Sequence, residues 1–60
     1  MTEPLLYKPE QAAAVIGIGR SKLFQLLASG DIESVQIGRS RLVPREALER
    51  YVHRLLAAAA

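Results

Sequence analysis

The pattern of apolar and polar positions divides the chain into two segments with helical spacing, one that alternates, and a further helical segment. The first segment, PEQAAAVI, begins with a proline, which suits the first position of a helix. We predict a helix that begins at Pro9 and stops at Gly17. The side chain of Lys8 offers no acceptor to the open amides at the helix start. That start therefore either frays or is held by packing of Tyr7.

The second segment, RSKLFQLLAS, carries three leucines on one face and polar residues on the other. The leucines are Leu23, Leu26 and Leu27. We predict a second helix from about Arg20 to Ser29, capped weakly by Gly19 and stopped by Gly30. Only residues 17–19 join the two helices, so the helices must cross sharply, with Ile18 pressed between them. Two short helices joined by a tight glycine turn are typical of a helix-turn-helix.

Polar and apolar residues then alternate over residues 34–37 and again over residues 41–43. This pattern predicts a hairpin of two short strands with its turn around Gly38. We expect Pro44 to end the second strand and to open a third helix.

The last segment has an apolar stripe at helical spacing. The stripe consists of Leu48, Tyr51, Val52 and Leu55. The charged residues predicted to face water are Arg45, Glu49, Arg50 and Arg54. The alanine tail, residues 57–60, has high helix propensity but nothing to bury, so we expect it to fray. The predicted order is helix, turn, helix, hairpin, helix, in a single domain over residues 1–60.

Composition and charge narrow the class of protein. The chain has no cysteine, no apolar run long enough to cross a membrane and no signal peptide, so we expect a soluble cytoplasmic protein. Its formal net charge is +2. Residues 20–45 hold five basic residues against two acidic ones, a net of +3, and the rest of the chain has a net of −1. A localised basic region favours a polyanionic partner, although a solubilising surface would have the same composition.

Enzymatic and cofactor chemistry finds little support in the sequence. The Gly17-Ile18-Gly19 turn could be mistaken for a nucleotide-binding loop, but it lacks a third glycine, a preceding strand and a lysine-serine/threonine ending. His53 is the single histidine, with no cysteine to complete a metal site. Glu46 and Glu49 suit the helix start or pairing with a neighbouring arginine. We therefore expect no enzyme, no cofactor and no metal.

The start of the second helix carries side chains that suit the base edges of DNA. A helix fits the major groove, and residues near its N-terminus reach the bases first. Arginine and lysine bond guanine, glutamine bonds adenine, serine bonds bases or phosphate, and the open amides can hold a phosphate. The candidate contacts are Arg20, Ser21, Lys22 and Gln25. The alternative is an ordinary solvated helix face.

The hairpin turn supplies a second candidate contact. Glycine allows close approach of the backbone, and arginines beside it would reach phosphates or the minor groove. The candidate residues are Gly38, Arg39, Ser40 and Arg41, with Arg45 as a weaker phosphate candidate. The alternative is a solvated hairpin tip.

Residues 6–52 resemble the excisionase-type DNA-binding domains, which are similar to the DNA-binding part of MerR-type regulators. The resemblance rests on YKPEQAAAVIGIGRSKLFQLLASGDI and VQIGRSRLVPREALERYV. It implies a small, mainly α (α+β) winged helix-turn-helix, with three helices and a two-stranded wing between the second and third. It implies DNA contacts from the residues named above. The family usually caps its first two helices with serine or threonine, where this chain has Lys8 and Gly19.

The resemblance also implies a function. Excisionases are recombination directionality factors that bind and bend attachment-site DNA, so that an integrase excises rather than inserts an element. A module this small buries only about 600 to 1,000 Å² on DNA, so we expect weak binding by one copy and cooperative self-association on DNA. One alternative is a small transcriptional regulator that uses the same surface. Another is a protein-interaction module that uses the third helix and the alanine tail.

Overall fold

The computed structural model describes residues 4–59 and confirms the predicted winged helix-turn-helix class. Three helices pack with a small antiparallel sheet. In chain order the elements are β1 (Leu6–Tyr7), α1 (Pro9–Ile16), α2 (Arg20–Ser29), β2 (Val35–Ile37), β3 (Ser40–Pro44) and α3 (Arg45–Ala59). Within these residues no helix is both long enough and apolar enough to cross a membrane.

The joint between α1 and α2 follows the glycine signals in the sequence. Gly17 adopts a left-handed φ of 80°, and its amide donates to the carbonyl of Ala13 at 2.9 Å. The amide of Ile18 donates to the same carbonyl at 3.0 Å, which closes the end of α1. Ile18 is half-buried against the core, and Gly19 caps α2 in an extended conformation. The predicted bounds of both helices are confirmed.

The start of α1 is held by a hydrogen bond to the side chain of Gln11 and by Tyr7, and the Lys8 side chain makes no capping bond. The backbone amide of Lys8 donates to Oε1 of Gln11 at 3.1 Å. Tyr7 is buried and pairs with Val43 in the sheet. Of the two alternatives predicted for this helix start, packing of Tyr7 is therefore the one observed.

The sheet has three strands in the order β1-β3-β2, where the sequence predicted two. Leu6 pairs with Pro44 on one side of β3, and Val35 pairs with Leu42 on the other. The carbonyl of Leu5 also accepts a hydrogen bond from the amide of Arg45 at 2.9 Å. A strand of two residues is too short to show alternation, which is why β1 was missed.

The end of the hairpin also differs from prediction. Pro44 is the last residue of β3, and α3 begins at Arg45. Pro44 was expected to open the helix, but its pairing with Leu6 keeps it in the sheet. At the other end of β3, Ile37 pairs with Ser40, so the turn consists of Gly38 and Arg39 alone.

The core lies where α1, α2 and the sheet meet α3. Its fully buried large side chains are Leu23, Ile32 and Val43. The buried alanines of α1, Ala12 and Ala13, let α1 pack closely against its neighbours.

The apolar stripe of α3 is buried only in its first half. Leu48 is buried and Tyr51 is half-buried, but Val52 and Leu55 are 38% and 51% exposed. The core is too short to cover the later turns of a fifteen-residue helix. The helix runs through Ala59; fraying of the tail stays a prediction, and Ala60 lies outside the described residues.

Candidate nucleic-acid interface

The four candidate residues of α2 share one exposed side of that helix. Arg20, Ser21 and Lys22 occupy its first turn, Gln25 follows in the next turn, and all four are exposed. The leucines of α2 take the opposite side and are buried in the core. The first amides of a helix have no partner within it, so this end of α2 also offers donors to an anion.

A fifth side chain belongs to this surface and was not among the candidates. The ring of Phe24 is 41% exposed, and the guanidinium carbon of Arg20 lies 5.6 Å from its centroid. A cation over an aromatic face is attracted by the ring quadrupole, so Phe24 restricts where Arg20 can extend. The signal available in the sequence was the spacing of four residues, which puts the two side chains on neighbouring turns.

The wing, formed by β2, β3 and their turn, presents its candidate residues in two settings. Gly38 adopts a left-handed φ of 61°, which glycine tolerates best, and the exposed Arg39 follows it at the tip. Arg41 pairs with Gln36 across the strands and donates from Nη1 to Oγ of Ser34 at 3.3 Å. The tip cation therefore has freedom that Arg41 lacks.

The sheet faces of the wing differ in chemistry. Side chains alternate along a strand, so Arg41 shares the face of β3 that carries the buried Val43 and is turned toward the helices. Val35 and Ile37, 40% and 57% exposed, lie on the opposite face beside Leu42. These apolar residues were not predicted as part of the surface, although the alternation that defined the strand placed them together.

Arg45 is separated from the tip by the length of β3. It is half-buried at the first position of α3, and its amide is bonded to Leu5 at the base of the wing. With Val15 and Val52 it lines an open groove of about 510 Å³ between α1 and α3. Its assignment as a phosphate contact stays a prediction.

Two further arginines predicted to face water are engaged by the protein itself. Nη2 of Arg50 bonds Oε1 of Glu33, and Nη2 of Arg54 donates to the backbone carbonyl of Asp31. Arg54 also lies over Tyr51, with its guanidinium carbon 5.7 Å from the ring centroid. The basic side chains grouped on α2 and the wing are thus distinct from those of α3.

Comparison with known proteins agrees with this architecture. The family described as "Helix-turn-helix domain" matches residues 6–55. A protein of Saccharopolyspora erythraea named "Probable excisionase" is 51% identical over 53 residues, which cover 88% of this chain and 54% of the relative. The chain therefore spans about half the length of the curated relative it matches. No solved structure matches the chain significantly. The resemblance to an excisionase-type helix-turn-helix is confirmed.

Proposed function

The chain belongs to the helix-turn-helix domain family, and from that premise we propose that it binds double-stranded DNA with α2 in the major groove. The observation that carries the proposal is the exposure of Arg20, Ser21, Lys22 and Gln25 on the side of α2 opposite its buried leucines. Arginine and lysine at the N-terminus of such a helix suit guanine, and glutamine suits adenine.

The wing makes the second DNA contact in this proposal. Arg39 at the tip enters the adjacent minor groove or contacts a phosphate, and Gly38 allows the backbone to come close. Ser40 adds a contact along the backbone of the duplex, and the exposed Arg41 adds another when its guanidinium leaves the hydroxyl of Ser34. These two surfaces give a protein with the localised positive charge that nucleic-acid binding requires.

The role we propose is that of an excisionase, supported by the relative named "Probable excisionase". In this role the protein, of bacterial or phage origin and associated with the nucleoid, binds and bends attachment-site DNA, and an integrase then excises the element. Bending lets a small protein bring separated DNA segments within reach of one recombinase.

Copies of the protein bind cooperatively in this proposal. Contact with about 4 to 5 phosphates gives a salt slope near −4 and only weak binding by one copy. Val15 on α1 and Val52, Leu55 and Leu56 on α3 are exposed apolar residues that belong to neither α2 nor the wing. Such a surface supports contact with another protein once DNA has brought the two together.

The test of DNA binding is a gel shift at moderate salt with DNA that flanks the gene. The triple variant R20A/K22A/R39A should lose the shift, whereas the control K8A, which removes an exposed lysine outside both surfaces, should keep it. A triple variant that still shifts DNA would refute the site and favour the protein-interaction alternative.

The excisionase role needs its own experiments. Footprinting on the flanking DNA should show protected sites at a regular spacing, and a gel assay with permuted site positions should reveal the bend. Adding the protein to a recombination assay with an integrase encoded by a neighbouring gene should switch recombination toward excision. Protection confined to a divergent promoter, with no effect on recombination, would instead identify a transcriptional regulator.

A further inference from the structure

Two arginines of α3 bind the segment that connects α2 to the wing, one by an ion pair and one by a hydrogen bond. Arg50 bonds Glu33 through Nη2, and its Nη1 lies 3.9 Å from Oε2 of Glu46 on its own helix. One turn further on, Arg54 donates to the carbonyl of Asp31. Both contacts cross from α3 to a stretch that has no regular secondary structure.

The connection is also fixed from inside. Ile32, between the two gripped residues, is 1% exposed, and its amide donates to the carbonyl of Leu26 at 3.2 Å. The hydroxyl of Ser29 donates to Oδ2 of Asp31 at 2.7 Å. Three consecutive residues, 31–33, are therefore held by α3, the core and the end of α2.

We infer that Arg50 and Arg54 are positioning residues for DNA binding: they fix the direction of the wing relative to α2 and do not contact DNA. This inference rests on the proposed use of both surfaces. β2 begins two residues after Glu33, so any rotation of the connection is passed directly to the hairpin.

A small rotation at the base of the wing is enough to matter. From residue 34 to the turn, the hairpin extends roughly 13 Å at the usual rise of a strand, so a rotation of about 10° moves the tip by about 2 Å. A hydrogen bond is lost over a smaller displacement than that. The braced connection thus lets α2 and the wing engage one duplex together.

The solvent exposure of these side chains limits how much the variants can change the Kd for DNA. The side chains of Arg50 and Glu33 are 58% and 69% exposed, and exposed ion pairs are weak. We expect each arginine variant to raise the Kd for DNA about two- to fivefold, as a contact of that strength allows.

The charge of Glu33 provides a sharp discriminator. If Glu33 acted only as a negative charge near DNA, the variant E33Q would bind DNA more tightly, because a repulsion is removed. If the charge of Glu33 instead holds Arg50 against the connection between α2 and the wing, the same variant binds more weakly. The two accounts predict opposite signs.

The experiment measures Kd against salt for R50A, R54A, E33Q and the swap E33R/R50E, on a duplex selected by the wild-type protein from random DNA. Circular dichroism first establishes a temperature at which every variant is folded. We expect weaker binding by the three single variants, an unchanged salt slope, and partial recovery in the swap, because R50E also places a second carboxylate one turn from Glu46. Residual dipolar couplings of the free protein should show a changed wing orientation in R50A.

Each contrary result overturns the inference in a distinct way. A salt slope that falls by about one in R50A or R54A would mean a direct phosphate contact. An unchanged Kd with lower thermal stability would mean a merely structural role, as would an unchanged wing orientation. Failure of the wild-type protein to bind any duplex would refute the proposed function, while the orientation measurement would still decide whether the brace exists.

Discussion

The guanidinium of Arg20 lies over the ring of Phe24, one turn further along the same helix, with 5.6 Å between guanidinium carbon and ring centroid. The ring is 41% exposed although it is apolar. We expect the ring to hold the side chain of Arg20 in place before DNA binds. An arginine that is already restricted loses less conformational entropy on binding. An exposed ring can also contact a thymine methyl group directly.

Phe24→Leu should therefore weaken DNA binding while leaving the core intact. An exposed cation–π contact contributes about 0.5 to 1 kcal/mol, which corresponds to roughly two- to fivefold in Kd. Fluorescence anisotropy with a labelled duplex measures this change. Phe24→Tyr keeps the ring and serves as the control; equal binding by the leucine and tyrosine variants would contradict a role for the ring.

Lys22→Ala should lower both the affinity for DNA and its dependence on salt. Loss of one phosphate contact reduces the salt slope by about 1, because one fewer counterion is released. Titrations at four or more salt concentrations give the slope. Lys8→Ala removes the same charge from an exposed position before α1 and should leave the slope unchanged. Equal salt slopes for Lys22→Ala and the wild type would show that Lys22 does not contact a phosphate.

Arg39→Ala should remove the wing contact without removing the α2 contact. Arg39 is at the tip of the turn, whereas the α2 residues belong to a separate element. Hydroxyl-radical footprinting should show loss of protection in one groove segment, and methylation protection of major-groove guanines should persist. His53→Ala, an exposed change on α3, should alter neither pattern. Loss of both protections in Arg39→Ala would show that the two surfaces do not act separately.

Leu23→Ala should destabilise the protein strongly. Leu23 is fully buried, and a leucine truncated in a core costs about 2 to 5 kcal/mol of unfolding free energy. In a domain of sixty residues that loss is comparable to the whole stability. Urea unfolding followed by circular dichroism measures it. Leu56→Ala, where the leucine is 63% exposed, should change the unfolding free energy by less than about 0.5 kcal/mol.

Gly17→Ala should cost about 1 to 2 kcal/mol of unfolding free energy, because alanine is strained at a left-handed φ of 80°. Apart from the local backbone, no atom stands within 4 Å of the position a Cβ would take, so the cost comes from the backbone conformation and not from crowding by packed neighbours. Gly19→Ala is the comparison, since Gly19 has a φ of −72° in equally open space; its alanine costs only the weaker N-cap preference and no left-handed strain. Thermal unfolding of the two variants should separate them clearly; equal melting temperatures would contradict the strain.

The helices were predictable because their limits are set locally. Gly17 and Gly30 each stop a helix by a backbone conformation that depends on neighbouring residues alone, and both bounds were confirmed. The strand β1 was not predictable, because its pairing joins Tyr7 to Val43, far along the chain. Spacing gave the apolar stripe of α3 correctly but not its exposure, which depends on how far neighbouring elements extend.

In the candidate site, too, local features were predictable from the sequence and contacts between distant residues were not. Helical spacing predicted that Arg20, Ser21, Lys22 and Gln25 would share an exposed side of α2, and they do; their contact with DNA stays a prediction. The ion pair between Arg50 and Glu33 joins residues seventeen positions apart, and no local pattern in the sequence indicates it.

The bond between the carbonyl of Leu5 and the amide of Arg45 has a consequence for the order in which the chain folds. The α1–α2 pair and the hairpin form from near neighbours, whereas β1 must wait for a closure across forty residues, which is entropically more costly. During synthesis, β1 leaves the ribosome before β3 and has no partner until β3 has emerged. The earliest strand made is then the last to be paired.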